Sequence, residues 1–267
     1  MSNPQMPGPQ SPRPQLLNPM ELFDLSGKIA LVTGGSRGLG REMVLAFARA
    51  GADVVVASRK LDTCVQTAAE VEALGRRALA HACHVGSWSD VDALVDAAYA
   101  HFGRIDILVN NAGMSPLYPS LDAVSEALWD KVFAVNLKGP FRLSALVGSR
   151  MQAGRGGSII NVSSIAAERP GPSETPYAAA KAGLNAITMA FSQAYGPSVR
   201  VNAIQAGPFL TDISKAWPEG IEQYLAARAS LGRAGRPDEI VGTALYLASD
   251  ASSFTTGAII RVDGGQK

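Results

Sequence analysis

The fold is decided by one stretch near the start of the chain, which reads Ile29-Ala-Leu-Val-Thr33 and continues as Gly34-Gly-Ser-Arg-Gly38-Leu-Gly40. The first five residues form an almost continuous apolar run, as expected of a parallel strand that is covered on both faces. The glycines that follow allow a tight turn, and the apolar spacing after them predicts a helix. The stretch therefore predicts a strand, a glycine-rich turn and a helix in direct succession.

The same alternation of short β-rich runs and longer Ala-rich segments continues along the chain. It predicts strands at Ile29–Thr33, Val54–Ser58, Ala78–Cys83, Ile105–Asn110, Ser158–Val162, Val199–Ile204 and Ala258–Val262. It predicts helices at Leu39–Ala50, Leu61–Leu74, Trp88–Phe102, Ala127–Met151, Tyr177–Tyr195, Glu219–Ala229 and Pro237–Ala248. This alternation indicates an α/β fold, a Rossmann-like doubly wound seven-stranded parallel sheet with helices on both faces. Such a sheet binds ligands at the carboxyl ends of its strands, where the strand order reverses.

The chain of 267 residues is long enough for one large domain with a continuous core. Its first 20 residues differ from the rest, because they contain six prolines and three glutamines. This composition predicts a disordered tail over residues 1–20, with an interaction arm or an oligomer strap as the alternative. Residues 21–267 are predicted to form a single domain.

Charge and composition exclude several classes of function. Basic and acidic residues number 24 and 23, whereas a protein that binds nucleic acid or an anionic membrane usually has a basic excess. No apolar run approaches the roughly 18 residues that span a bilayer. The two cysteines, Cys64 and Cys83, form no CxxC pair and indicate a reducing, cytoplasmic environment. No metal site is expected at Cys83 and His84, because adjacent strand residues point to opposite faces.

The glycine-rich turn has the position expected of a dinucleotide-binding loop. Glycines let the backbone approach a pyrophosphate, and the helix N-terminus supplies N–H groups and a favourable dipole. A P-loop is excluded, since Lys-Ser/Thr does not follow Gly40. The alternative is a turn that only connects the strand to the helix. The predicted cofactor-binding residues of this turn are Gly34, Ser36, Arg37, Gly38, Leu39 and Gly40.

The end of the second predicted strand favours NADP as the cofactor. An NAD site usually has an acidic residue there that binds the ribose 2′-hydroxyl, whereas this chain continues as Ser58-Arg59-Lys60. Arg59 and Arg37 together suit a 2′-phosphate, because guanidinium groups match phosphate geometry. NAD remains the alternative, in which both arginines are solvated surface residues.

A proton-transfer pair is predicted at Tyr177 and Lys181. Residues four apart lie on one helix face, so both side chains can reach one cleft. A nearby ammonium favours the phenolate, and such a pair can act as general acid and base on a carbonyl or an alcohol. Upstream, Ser163 and Ser164 end a predicted strand, where a hydroxyl can hydrogen-bond a substrate oxygen. The alternative is that these serines only terminate the strand and cap a turn.

The chain resembles the short-chain dehydrogenase/reductase family, in its shorter single-domain branch that includes the 3-oxoacyl-[acyl-carrier-protein] reductases. The resemblance extends from about Leu25 to Gly265 and rests on motifs that occur in the family's order. They are Thr33-Gly-Gly-Ser-Arg-Gly-Leu-Gly40, Asn110-Asn-Ala-Gly113, Asn136, Ser164, Tyr177-x-x-x-Lys181 and Val262-Asp-Gly-Gly265.

The resemblance implies a hydride transfer between NADP(H) and a small molecule that interconverts a ketone and a secondary alcohol. Tyr177 would be the acid/base, and Ser164 would orient the substrate oxygen. Lys181 would bind the nicotinamide ribose and lower the pKa of Tyr177, while Asn136 would hold a proton-relaying water. Sheet stabilisation and cofactor contact are implied for Asn110, Ala112 and Gly113.

Three departures from the family pattern stand out. His84-Val85 replaces an Asp-Val pair whose Asp contacts the adenine, so His84 would donate a hydrogen bond or stack instead. After the sixth predicted strand the proline of the family motif is displaced by two positions, while the expected cofactor contacts Gly207, Phe209 and Thr211 are present. Ala167 and Glu168 stand where the family often has glycine, which adds charge near the pocket.

The substrate is expected to bind under a lid over residues 211–232. The apolar side chains expected to line a pocket there are Met114, Leu117, Tyr118, Phe209, Ile213, Trp217, Tyr224 and Leu225. The alternative is that they only pack the lid onto the body. A 3-oxoacyl thioester, a sugar or polyol and another carbonyl compound all stay open as substrates.

The resemblance implies a homotetramer. The alternative to an oxidoreductase is a catalytically silent NADP-binding regulatory or interaction protein.

Overall fold

The computed structural model describes residues 18–211 and 220–267. Its strands are β1 Ile29–Thr33, β2 Asp53–Ser58, β3 Ala78–Ala82, β4 Ile107–Asn110, β5 Gly157–Ser164, β6 Val199–Ala206 and β7 Ile259–Val262. Its α-helices are α1 Gly38–Arg49, α2 Leu61–Ala73, α3 Trp88–Phe102, α4 Glu126–Phe133, α5 Gly139–Gln152, α6 Thr175–Tyr195, α7 Ile221–Arg228 and α8 Val241–Ala248. Most of the predicted tail lies outside the described residues, and a 3₁₀ helix over Pro19–Phe23 precedes β1.

All seven strands form one parallel sheet in the order β3-β2-β1-β4-β5-β6-β7. The predicted Rossmann-like fold is therefore confirmed. The strand order reverses between β1 and β4, so the carboxyl ends of these two strands form the crevice in which open α/β sheets bind ligands.

Apolar residues that alternate along the strands build a core on each face of the sheet. Val32 packs into the cluster that contains Phe47 and Leu247 of α1 and α8. Its neighbour Leu31 packs into the opposite cluster, with Leu94 of α3 and other residues of α3 and α5. Since both faces are covered, strands β1, β2 and β4 are buried almost throughout, which explains their continuous apolar sequence, whereas the edge strands β3 and β7 are only partly buried.

β5 and β6 extend two residues beyond their predicted ends. Ser163 pairs with Gln205 and Ser164 with Ala206, so polar residues continue the parallel ladder. The end of the apolar run in the sequence is therefore not the end of either strand. Ser164 consequently lies at the carboxyl end of β5.

A π-helical turn over Ala134–Lys138 interrupts the long helix predicted at Ala127–Met151. Asn136 lies within this turn, and its side-chain Nδ2 donates a hydrogen bond of 2.9 Å to the carbonyl of Val132. Such single-turn interruptions often occur at functional sites.

Two predicted features near the C-terminus differ in detail. The helix predicted from Pro237 begins as a 3₁₀ turn over Pro237–Ile240, where the Glu239 carboxylate accepts a hydrogen bond of 2.7 Å from the Arg236 N–H. The helix predicted from Glu219 begins at Ile221, and Glu219 lies outside the described residues. Within the ranges that the structure covers, no helix is long and apolar enough to cross a membrane.

Candidate active site

The glycine-rich turn connects the carboxyl end of β1 to the N-terminus of α1. Gly34 and Gly38 have φ angles of 64° and 51°, a left-handed conformation that favours glycine. Arg37 is the N-cap residue of α1, and its own side chain makes no cap hydrogen bond. A helix N-terminus at the switch point of the sheet is a position that favours an anion.

Asn111, directly after β4, holds this turn. Its Nδ2 donates hydrogen bonds of 3.0 and 3.2 Å to the carbonyls of Thr33 and Gly34. A Cβ on Gly34 would lie 2.7 Å from this nitrogen, and one on Gly40 would lie 2.5 Å from it. The turn thus needs glycine because the loop after β4 packs directly against it.

Thr33 makes a second connection between β1 and the loop after β4. Its hydroxyl oxygen accepts hydrogen bonds of 3.1 and 3.2 Å from the N–H groups of Asn111 and Ala112, and its hydroxyl donates to the carbonyl of Val109. Both residues belong to motifs that carry the family resemblance, and the role implied for Asn110-Asn-Ala-Gly113 includes Asn111, but the sequence does not predict their hydrogen bonds. The sequence indicates them only by position, since Thr33 directly precedes the glycine-rich turn and Asn111 directly follows Asn110.

The predicted phosphate-binding residues lie at the ends of β1 and β2. The Ser36 hydroxyl donates a hydrogen bond of 2.9 Å to Ser58 Oγ, which places the two predicted residues in direct contact. Arg37 and Arg59 are both exposed, and among the described residues neither forms an ion pair. Their guanidinium groups are therefore available to a ligand at this corner.

The residues after β3 lie along the same edge of the sheet. The His84 N–H donates a hydrogen bond of 3.1 Å to the Asp90 carboxylate, and its ring packs beside Gly86. Val85 is buried. Burial also raises the pKa of the Cys83 thiol, directly before His84, to about 12. His84 is half-buried, so part of its ring is accessible to a ligand.

The predicted proton-transfer residues come together around the start of α6. Lys181 is 3% exposed, and its Nζ donates a hydrogen bond of 2.7 Å to the carbonyl of Val162 in β5. The same Nζ lies 5.6 Å from the centre of the Tyr177 ring. Tyr177 is also within hydrogen-bond reach of the Ser164 side chain. The three residues thus share one cleft.

The surroundings of Tyr177 oppose the lowering of its pKa that the sequence predicts. Its ring is partly exposed, but burial of the hydroxyl raises the pKa of Tyr177 to about 12, against the effect of the Ser164 hydrogen bond. The Glu174 charge raises it further, and burial lowers the pKa of Lys181 to about 8. In the protein alone, burial therefore dominates over the attraction of the ammonium, and Tyr177 holds its proton.

Asn136 and Lys181 both lie next to Gly113, near the position that a side chain at Gly113 would take. A Cβ on Gly113 would lie 3.0 Å from Asn136 Oδ1 and 3.6 Å from Lys181 Nζ. Asn136 is fully buried, and its side chain bonds both the N–H and the carbonyl of Met114, at 3.1 and 2.8 Å. The π-turn thereby holds the loop after β4 in place, while the proton-relay role of Asn136 remains a prediction.

Asn110 forms the predicted link within the sheet. Its buried Nδ2 donates hydrogen bonds of 2.9 Å to Ser144 Oγ and 2.8 Å to Asn161 Oδ1. Asn161 in turn donates to Thr188 Oγ1 of α6 at 2.8 Å. This ladder joins β4 and β5 to the two helices behind them, and the cofactor contact of Asn110 stays a prediction.

The predicted pocket residues are placed in different surroundings. Phe209 packs into the core against Gly235, so the packing interpretation applies to it, while Leu117 is 74% exposed. Ile213 and Trp217 lie outside the described residues, as does most of the lid between Thr211 and α7.

Two of the positions that depart from the family pattern or follow β6 make contacts of their own. Glu168 forms an ion pair with Arg261. Gly207 donates its N–H to the carbonyl of Val262 at 2.9 Å.

Comparisons with known proteins extend over almost the whole chain. A family model described as enoyl-(acyl carrier protein) reductase matches residues 34–267. The short chain dehydrogenase/reductase astE of Aspergillus oryzae is 42% identical over 250 residues, which cover 91% of this chain and 96% of that protein.

Two solved structures share the fold and carry a nicotinamide cofactor. A 7α-hydroxysteroid dehydrogenase complexed with NADH and 7-oxo glycochenodeoxycholic acid has a TM-score of 0.90 and 35% identity, covering 94% of this chain and 98% of that one. A gluconate 5-dehydrogenase from Burkholderia cenocepacia, in complex with NADP and tartrate, has a TM-score of 0.88 and 34% identity, covering 92% and 98%.

These proteins are dehydrogenases and reductases, which offers no support for the alternative of a catalytically silent regulator. The match begins at the glycine-rich turn and includes the six strands from β2 to β7. The chain is therefore an NAD(P)-dependent oxidoreductase acting on CH–OH groups, and it belongs to the short-chain dehydrogenase/reductase family.

Proposed function

We propose that the protein interconverts a ketone and a secondary alcohol by hydride transfer with NADP(H), using Tyr177 as the acid/base. The observation that carries this proposal is the convergence of Tyr177, Ser164 and Lys181 in one cleft at the carboxyl ends of the strands. The substrate is a small molecule, and a 3-oxoacyl thioester, a sugar or polyol and another carbonyl compound all remain candidates.

The glycine-rich turn fits a dinucleotide. The close approach of Asn111 restricts Gly34 and Gly40 to glycine, and the N-terminus of α1, whose N-cap residue makes no side-chain cap bond, suits a pyrophosphate. Bound NADP would supply the hydride chemistry, and the protein would position it and handle the proton.

The exposed arginines at the ends of β1 and β2 support NADP over NAD. Arg37 and Arg59 offer planar groups that match a phosphate, while Ser36 and Ser58 add hydroxyls beside them. The two solved relatives carry NADP in one case and NADH in the other, so the family allows either cofactor.

The chain's own residues can deliver the proton to the substrate. Tyr177 keeps its proton because burial raises its pKa, which suits donation to the oxygen of a carbonyl as it is reduced. The Ser164 hydrogen bond and the nearby Lys181 ammonium favour the phenolate that this donation leaves behind. Lys181 would return a proton to Tyr177, and a water held by Asn136, which also lies next to Gly113, would resupply Lys181 from solvent.

Assembly as a homotetramer is supported by two separate apolar surfaces. A groove of about 880 Å³ lies along α4, the π-turn, α5 and α6, and its apolar lining includes Phe133, Leu137, Phe141 and Ile187. Phe254 is fully exposed beside the edge strand β7. Two self-complementary faces of this kind generate a tetramer with dihedral symmetry.

The two free cysteines accord with action in the cytoplasm.

Removal of the Tyr177 hydroxyl tests the proposed acid/base. We expect Tyr177→Phe to lower kcat by about 10²–10⁴-fold, because general acid–base catalysis contributes a factor of this size and phenylalanine has no proton to donate. The Kd for NADPH, measured by fluorescence titration, should change less than threefold. Tyr195→Phe is the control, since its hydroxyl bonds the Ala145 carbonyl on the far side of α6. Turnover within tenfold of the wild type would overturn the assignment.

Removal of the Arg59 guanidinium tests the cofactor preference. We expect Arg59→Ala to weaken NADPH binding by about tenfold or more, as a charge-assisted contact contributes roughly 1.5–3 kcal/mol. NADH binding should stay nearly constant because NADH lacks the 2′-phosphate. Arg49→Ala, at the other end of α1, controls for a general loss of positive charge. Equal losses for both cofactors would show that Arg59 does not recognise the phosphate.

One charged residue on each apolar face tests the tetramer. We expect the wild type to sediment as a tetramer and Phe141→Asp and Phe254→Asp each to sediment as a dimer, because each substitution buries a charge in one interface only. Circular dichroism checks that both variants keep the fold. A monomeric wild type, or tetramers of both variants, would contradict the proposed assembly.

A further inference from the structure

Tyr118, in the loop after β4, connects that loop to the start of the catalytic helix α6. Its hydroxyl donates a hydrogen bond of 2.7 Å to the carbonyl of Pro172. The same oxygen accepts a hydrogen bond of 2.7 Å from the N–H of Thr175. Both distances are short and both bonds join segments that are distant in sequence. The sequence predicts an apolar pocket role for this residue, whereas its polar end makes these contacts.

The bond to Thr175 performs the function of a helix cap. Thr175 is the first residue of α6, and its N–H is one of the donors that a helix leaves unpaired at its start. Glu174, the N-cap residue, makes no side-chain cap bond, and Pro176 has no N–H. Tyr118 therefore supplies from another loop the acceptor that the local sequence does not provide.

The other end of the same loop is fixed to the π-turn. Asn136 bonds both the N–H and the carbonyl of Met114, four residues before Tyr118. The segment from Met114 to Tyr118 thus joins Asn136 to Thr175, which is two residues before Tyr177. The path consists of hydrogen bonds from two side chains, Asn136 and Tyr118, to the backbone.

We propose that Tyr118 is a positioning residue for the reaction, which sets the place of Tyr177 by capping α6 and fixing it to the loop that Asn136 holds. The inference rests on the proposed acid/base role of Tyr177. Loss of the Tyr118 hydroxyl leaves the Thr175 N–H without this acceptor and the Pro172 carbonyl with only the 3.5 Å bond from Thr175 Oγ1, so the first turn of α6 frays. A displacement of about 1 Å at a reacting group can cost about 10²-fold in rate. The cofactor turn at Gly34 and Gly40 is held by Asn111 and is unaffected.

The test compares Tyr118→Phe with Tyr246→Phe in the full chain with NADPH bound. Tyr246 is also half-buried and makes a 2.7 Å hydroxyl contact, with Thr255 Oγ1, but it lies on α8 near the amino ends of β6 and β7. Amide hydrogen exchange is measured over the peptide that begins α6. We expect exchange at Thr175 to rise at least tenfold in Tyr118→Phe and to stay unchanged in Tyr246→Phe.

Kinetics complete the test. In Tyr118→Phe we expect kcat to fall by about tenfold or more, while the Kd for NADPH changes less than twofold. Unchanged exchange at Thr175 overturns the proposed cap. Faster exchange with an unchanged kcat overturns the positioning role. The Tyr177→Phe variant separates the two proposals, because its retention of turnover would refute the acid/base assignment itself, whatever Tyr118 does.

Discussion

The close contact between Asn111 and the glycine-rich turn is the constraint on which the site depends. Parallel pairing places the ends of β1 and β4 side by side, and the Asn111 amide then bonds the carbonyls of Thr33 and Gly34. No side chain fits at Gly34 or Gly40 against that amide. The turn consequently has no side chain at these two positions, and it leads into a helix whose N-cap residue makes no side-chain cap bond, which suits a pyrophosphate.

The same pair of strand ends organises the proton-transfer side of the cleft. Beyond Asn111 the loop passes Gly113, where the absence of a side chain lets Asn136 and Lys181 approach. The buried ladder from Asn110 through Asn161 to Thr188 fixes α6 behind the sheet. Burial of this region raises the pKa of Tyr177, which suits a residue proposed to deliver its proton to a substrate.

Much of this arrangement could be predicted from the sequence. Strand positions followed from apolar runs, and Tyr177 and Lys181 from their spacing on one helix face. The contacts of Asn111 and Tyr118 could not, because they depend on which loops the strand order brings together. The π-turn could not be predicted either, because the residues around Asn136 keep the apolar pattern of a helix. The hydrogen bond from the Asn136 side chain to the Val132 carbonyl leaves no mark on that pattern. Phe209 shows the converse, as an aromatic residue near the site that belongs to the core.

Calorimetric titration with NADPH of two alanine variants tests the central claim most directly. Gly34→Ala and Gly75→Ala both place a side chain on a glycine of positive φ, 64° and 76°, but only the first meets a neighbour, Asn111 Nδ2 at 2.7 Å. Gly75 has nothing within 4 Å of the added Cβ. We expect Gly34→Ala to weaken NADPH binding at least tenfold and Gly75→Ala to bind as the wild type does. Equal affinities of the two variants would contradict the account.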